Sequence, residues 1–340
     1  MKTLDNKIVY VVGAGFSAGL GYPTTSNLLV DVWPKLPAKY RRRLTRVISF
    51  HHPSFDPDRA TSFPYIETLL TQISVNLEMF DSSRIAEGTF TANDLKDARA
   101  ELLTQIARWF HELYPAAVGT DWLSKVAKRV KSEEATVISF NWDLILDQTL
   151  FNKVSASNYG LGRKASGPIL LKPHGSLNWY ESNQIEKVSV DKRIQLQAET
   201  DDYPAVEAFL LPRHIISKAN RRYTPLIVPP TYIKDFSRPI SVKLWKRCTE
   251  ALSTAKIVYI LGYSLPEADM QAQFIFRCGF HNQKDGMITV NGGRTAPSGA
   301  AQVIVVNPDA AAARRLESVV GPGGRFEWKP LKVEDWARNL

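Results

Sequence analysis

Cysteine is almost missing from this chain: Cys248 and Cys278 are the only two in 340 residues. Two thiols cannot build a disulfide framework, and a four-cysteine zinc site is out of reach. Long apolar runs are lacking too. No stretch approaches the roughly 20 residues needed to span a bilayer. The chain enters its first strand-like segment almost at once, which is not the pattern of a signal peptide. No Gly-Lys-Ser/Thr follows the N-terminal glycine cluster, so a Walker-type ATPase loop has no support. Zinc-finger, recognition-helix and aromatic-interleaved basic patterns are also absent. The expectation is a cytoplasmic protein with no membrane partner.

What is present suffices for a sizeable core, since 44% of the residues are hydrophobic. The formal net charge of +9 points to an anionic partner. The basic residues are scattered in small groups: Arg41–Arg43 with Arg46, Lys218 with Arg221 and Arg222, and Arg314-Arg315. Direct nucleic-acid binding would rest on that charge alone; the alternatives are a solvated surface or a face for an acidic protein.

Short apolar runs each end in small or polar residues. Lys7–Val12 runs into Gly13-Ala-Gly-Phe-Ser-Ala-Gly-Leu-Gly21, and Thr136–Ser139 into Phe140-Asn-Trp-Asp143. Ile169–Leu171 leads to Lys172-Pro-His-Gly-Ser-Leu-Asn-Trp179. Ile257–Leu261 leads to Gly262-Tyr-Ser264, and Val303–Val306 to Asn307. Non-alternating runs of this kind suit a parallel sheet covered on both faces. In such sheets ligands sit beyond the carboxyl ends of the strands, so these strand ends mark one crevice. The predicted fold class is α/β: a Rossmann-like, doubly wound parallel sheet with a helical insertion.

Gly13-Ala14-Gly15-Phe16-Ser17-Ala18 fits G-x-G-x-x-A between a strand and a helix. Glycines there permit a tight turn and close backbone approach to a pyrophosphate. A hydride-transfer enzyme would add an acidic residue at the end of a second strand. Asp31 has the spacing but lies in a helical pattern.

Thr24–Trp33 reads as a short helix stopped by Pro34. Tyr65–Phe80, Thr91–Tyr114 and Asp121–Lys131 read as further helices, the second on Leu95, Ala98, Leu102, Ile106, Phe110 and Leu113. His51 and His52 fall in a predicted solvated loop. The expected division is a core of residues 1–34 and 120–340, a helical insertion at 35–119, and an irregular excursion at 181–224 holding one weak strand at Arg193–Leu196. The main sheet is expected to resume at Leu226–Val228. Helices are expected at Ser241–Thr254 and Glu267–Phe280, and a helix start at Ala310–Ala313.

Together these segments resemble the sirtuins. Gly13-Ala-Gly-Phe-Ser17 with Gly21-Tyr-Pro23 is similar to the sirtuin Gly-Ala-Gly-x-Ser and Gly-Ile-Pro elements. Phe140-Asn-Trp-Asp143 resembles Gln-Asn-x-Asp, and Pro173-His-Gly-Ser176 the element with the catalytic histidine. Gly262-Tyr-Ser264 stands for Gly-Thr-Ser, and Val306-Asn307 for Val-Asn. Ser139–Asp143, His174–Trp179 and Gly262–Asp269 are closest to a prokaryotic branch associated with antiphage defence. Two departures matter: no Cys-x-x-Cys pairs follow the histidine, and Val228-Pro-Pro-Thr-Tyr232 stands where deacylases carry Phe-Gly-Glu.

The resemblance implies NAD⁺ as a substrate, its hydrolysis to nicotinamide and ADP-ribose, and no metal. The alternatives are protein deacylation, ADP-ribosyl transfer, or a non-catalytic module sensing NAD⁺ or ADP-ribose. It also implies a homo-oligomer or an activating subunit, such as a HerA-type ATPase or a nucleotide-sensing protein. His174 is the candidate base for a ribose hydroxyl or a water, and Asn141 can hold either through its donor and acceptor. Both are the catalytic candidates. Asp143 either binds the nicotinamide carboxamide or caps the next helix. Ser17 either bonds a phosphate or caps a helix, and Phe16 either covers the nicotinamide ribose or packs into core. Gly13, Ala14, Gly15, Gly262, Ser264 and Asn307 complete the expected cofactor contacts. Asp269 is read as capping or orienting the helix after Pro266. Trp142 and Trp179 read as core.

Overall fold

A computed structural model describes residues 7–83, 91–152, 154–161, 167–181, 194–197, 206–210, 225–227, 239–288, 292–321 and 324–340. The elements that build the main sheet are β1 (Ile8–Val12), β2 (Thr136–Ser139), β3 (Ile169–Leu171), β8 (Ile257–Leu261), β9 (Gln302–Val306) and β10 (Arg325–Lys329). A second group is β4 (Gly175–Glu181), β5 (Ile194–Gln197), β6 (Val206–Leu210) and β7 (Pro225–Ile227).

The six-stranded sheet runs β10-β9-β8-β1-β2-β3, every neighbouring pair parallel. Taken in chain order, the first three strands build outward in one direction from β1 and the last three in the other. This is the doubly wound Rossmann order, and it reverses between β1 and β8. Val9–Val12, Val258–Leu261 and Val303–Val306 are buried without alternation, because helices cover both faces. The edge strand β10, Arg-Phe-Glu-Trp-Lys, is largely exposed, so it carries no continuous apolar run.

The second sheet is antiparallel, with order β5-β6-β4-β7. Two expectations change here. The segment at 225–227 pairs with β4 rather than rejoining the main sheet. The region 181–224 contains β6 as well as the single strand expected. Most of that region, including Lys218–Arg222, lies outside the described residues, as does Val228–Tyr232.

Between β1 and β2 lie α1 (Ala14–Ala18), α2 (Leu28–Val32), α3 (Ala38–His51), α4 (Ile66–Ser83), α5 (Ala92–Val118) and α6 (Asp121–Ser132). Pro34 does not stop the chain's turning, since Trp33–Lys35 continue as a 3₁₀ turn that tolerates proline at its start. Helix α3 was not expected; its buried face is only Leu44, Val47 and Ile48, set among arginines. The expected border loop at Tyr114–Thr120 shrinks, because α5 runs on to Val118. His51 and His52 are not in a solvated loop. His51 Nε2 bonds the Asn76 amide at 2.7 Å, and His52 Nε2 the Gln72 side chain at 3.1 Å, fastening α3 to α4.

The remaining helices are α7 (Ile145–Leu150), α8 (Pro239–Thr254), α9 (Met270–Asp285), α10 (Ala310–Val320) and α11 (Val333–Arg338). Among the described residues no helix is long and apolar enough to cross a membrane.

Candidate active site

A crevice of about 560 Å³ opens beyond the carboxyl ends of β1, β2, β3, β8 and β9, at the point where the strand order reverses. Chain topology forces an opening there, since the connections from β1 and β8 leave towards opposite faces of the sheet. Gly13, Ala14, Gly15, Ser17, Asn141, Asp143, His174, Gly262, Ser264 and Asn307 all line it. Phe16 does not. Its ring is 1% exposed and packs edge-on against Trp122 of α6, within the core. Trp142 and Trp179 are buried, as read from the sequence.

The glycines owe their presence to a crossing of two loops. A Cβ on Gly15 would lie 2.8 Å from the Gly262 carbonyl oxygen, and one on Gly13 2.6 Å from Tyr263 Cα. Gly262 has φ +61°, and a Cβ there would fall 2.4 Å from Gly15 C and Phe16 N. The Gly13 amide donates to Leu261 O, that of Gly15 to Gly262 O, and that of Phe16 to Gly13 O. These three amides are therefore committed to building the turn.

A hydrogen-bond chain ties this turn to the end of β2. The Asn141 amide nitrogen donates to Gly13 O and to Ser17 Oγ, both at 2.9 Å. Ser17 Oγ donates onward to Asp143 Oδ2 at 2.7 Å. With both amide hydrogens used, the orientation of Asn141 follows from its network and Oδ1 is the acceptor it offers the crevice. Ser17 caps no helix. Asp143 Oδ1 accepts from the Ile145 amide at 3.0 Å, so the side chain starts α7 through a turn while Oδ2 holds Ser17. Burial raises the Asp143 carboxyl above its ordinary value, against the opposing pull of Lys172 and these hydrogen bonds.

Beneath the crevice lies an ion pair. Lys172, 1% exposed, donates to Asp147 Oδ2 at 3.0 Å, to the Asp143 carbonyl at 2.6 Å and to Ser176 Oγ at 2.6 Å. Tyr159 donates to the other Asp147 oxygen and accepts from Asn178. One ammonium thus fixes the end of β3 to the start of α7, two residues before His174.

His174 is 2% exposed, and its Nε2 stands 3.1 Å from Asp269 Oδ2. Asp269 is the N-cap of α9, accepting from Ala272 N, and it also receives the Tyr263 hydroxyl at 3.1 Å. Phe140 stacks on Tyr263 at 4.4 Å and meets His174 edge-on at 5.0 Å. A buried carboxylate on one ring nitrogen fixes the orientation of an imidazole and stabilises its protonated form. The sequence marked Asp269 only as a cap; its second role needs the loop after β8 to reach the loop after β3, across the ends of β1 and β2.

At the other end of the crevice, Asn307 is engaged on both sides. Its amide donates to Tyr263 O at 3.2 Å and accepts from Asp309 N at 2.9 Å. Arg315 bonds the Ser264 carbonyl at 3.0 Å.

One lining residue was not legible in the sequence. Glu67, the second residue of α4, reaches the crevice from the helical insertion. It is partly buried, and burial pushes its carboxyl up to about 7. Its own backbone amide opposes that rise, and the charge of Asp269 adds to it. An acid in the first turn of a helix reads locally as ordinary terminal charge, so no local signal identifies it.

No protein-family model matches the chain. No curated protein matches it either. Solved structures resembling it include one described as the structural basis for the mechanism and regulation of Sir2 enzymes. That structure is 13% identical, with TM-score 0.43 over 98% of this chain and 90% of that one. A Sir2–p53 peptide–NAD⁺ complex is 14% identical, with TM-score 0.41 over 98% and 90% of the two chains. A Sir2 homolog–NAD complex is 11% identical, with TM-score 0.40 over 98% and 86%. Similarity this distant carries no assignment of residue roles.

Proposed function

We propose that this protein is an NAD⁺ glycohydrolase, cleaving the bond between nicotinamide and ribose. One observation carries the reading: the Asn141 acceptor and the buried His174–Asp269 pair line one crevice at the sheet's switch point. In this bond cleavage nicotinamide leaves as a neutral amide while positive charge grows on the ribose. The reaction asks for an acceptor to hold a ribose hydroxyl or water, a base, and a site lined by negative rather than positive charge. Asn141 is the holder and His174 the base. The carboxylates of Asp143, Asp269 and Glu67 supply the negative surroundings, and Lys332 is the one cation among the described lining residues. The Gly13–Ser17 turn and the Gly262–Ser264 loop are the proposed seat of the dinucleotide.

The resemblance to defence-associated sirtuin-like proteins supports a toxic output held in check by assembly, either with copies of itself or with an activating subunit. On α3, Arg42 is exposed and Arg41 half-buried, which leaves a basic face for an acidic partner, while Arg43 is taken by Asp97 at 3.2 Å. The test is product analysis on purified protein given NAD⁺. Nicotinamide and ADP-ribose formed without an acyl peptide support hydrolysis. Release only with an acylated peptide turns the reading to deacylation, and binding without release turns it to sensing.

A further inference from the structure

We propose that Glu67, delivered by the helical insertion, is a catalytic residue of this crevice: the base that takes the proton of the attacking water. The inference rests on the glycohydrolase reading above and assigns the water's proton within it.

The carboxylates lining the crevice differ in whether an oxygen is left free. Asp143 spends both oxygens on Ser17 and Ile145 N. Asp269 spends both on His174, Tyr263 and Ala272 N. Among the described residues Glu67 accepts only from its own backbone amide, and no cation pairs with it. Asp309 accepts from Ala311 N and faces Arg315, and Glu334, which also lacks a described partner, stands at the α11 end beside Gly19. Glu67 instead stands in the field of Asp269, the partner of His174. Among the described residues it is the unspent carboxyl that lines the crevice with His174 and feels the charge of Asp269.

Its surroundings suit proton transfer at neutral pH. The outside charge acting on it is Asp269, on the loop entering α9, and the group from α4 is its own amide. Burial raises its carboxyl to about 7, where a base is partly ionised and still basic enough to accept a proton. Chemically, the water oxygen bonds to C1′ as the bond from C1′ to the nicotinamide nitrogen breaks. The electron pair of that bond stays on the ring nitrogen, turning the cationic pyridinium into neutral nicotinamide. The water's proton passes to the Glu67 carboxylate and then to solvent. His174 is left to polarise the ribose hydroxyl.

The experiment measures kcat/KM for NAD⁺ against pH, with Kd for NAD⁺ by calorimetry, in wild type, Glu67→Gln, Glu67→Ala and His174→Ala. Wild type should show an acid limb with an apparent pKa of about 7. Glu67→Gln should lose about a hundredfold or more in kcat/KM, lose that limb, and keep Kd. Added formate should restore part of the Glu67→Ala rate, which a purely structural role of Glu67 does not explain. A Glu67→Gln enzyme with wild-type kcat/KM and the same limb, beside an inactive His174→Ala, overturns the role of Glu67 and leaves the glycohydrolase reading standing. A wild type that binds NAD⁺ but releases no nicotinamide removes both.

Discussion

Replacing Lys172 with methionine tests the foundation of the site. The side chain is 1% exposed, and its ammonium is 3.0 Å from Asp147 Oδ2. At that distance, with an effective dielectric constant of about 20, the Coulomb attraction is about 5–6 kcal/mol before desolvation is subtracted. Methionine approximates the volume but supplies no charge and no donor. Among the described residues Asp147 would then keep only the Tyr159 hydroxyl on its buried side chain, and Ser176 Oγ would lose its donor. Breaking a buried pair in this way costs about 3–5 kcal/mol. The pair itself is worth much less than that, because both charges had to leave water. The double variant Lys172→Met/Asp147→Leu should therefore recover most of the loss, short of the cost of the orphaned Tyr159 hydroxyl, about 1–3 kcal/mol. Urea unfolding of wild type, both singles and the double gives the cycle. A single variant losing under about 1 kcal/mol, or a double losing as much as the two singles summed, would refute the reasoning.

Three further outcomes are expected. Gly262→Ala adds a Cβ 2.4 Å from Gly15 C at φ +61°. Left-handed strain and overpacking together should cost about 3 kcal/mol in urea unfolding and abolish NAD⁺ binding; near-normal stability would mean that the two loops do not cross so tightly. Glu67, raised from 4.5 to about 7, keeps its proton in the folded state where the unfolded chain has lost it. Wild-type stability should therefore fall relative to Glu67→Gln as pH rises from about 4.5 to about 7, by on the order of 2–3 kcal/mol, and a constant gap across that window would count against a buried acid. His174→Ala should stay folded by circular dichroism and lose about a hundredfold or more of the NAD⁺ cleavage, and wild-type cleavage should survive strong chelation. Activity lost on chelation and restored by one metal would contradict a reaction run by side chains alone.

The main sheet was readable because strands buried on both faces must be continuous apolar runs, as in Ile8–Val12 and Ile257–Leu261. Strand β10 escaped notice for the same reason inverted: Arg325–Lys329 lies at an edge and stays mostly exposed. Helix α3 was hidden by its arginines, since three buried residues give too narrow an apolar stripe. Much of the candidate site was readable because topology brings strand ends together, so polar residues after β1, β2, β3, β8 and β9 had to meet. Its supports were not. A lysine in a sequence reads as solvated, and nothing local says that Lys172 will meet Asp147, 25 residues earlier. The glycines of the turn were legible as glycines, but their reason was not, because the obstacle at Gly15 is the backbone of Gly262.

The chain tying Gly13, Ser17, Asn141 and Asp143 together also sets when the site comes into being during synthesis. Ser17 finds Asp143 across 126 positions, and Asn307 bonds Tyr263 across a further 44. Contacts so distant in sequence close late, after the loops between them have been ordered. A ribosome-bound chain that has passed only β3 has the glycine turn, Asn141 and His174, yet His174 has no Asp269 and β1 has no β8 at its side. Such a fragment cannot yet carry out the proposed cleavage. For an enzyme whose proposed reaction consumes a coenzyme its own cell depends on, the order of translation is itself a safeguard.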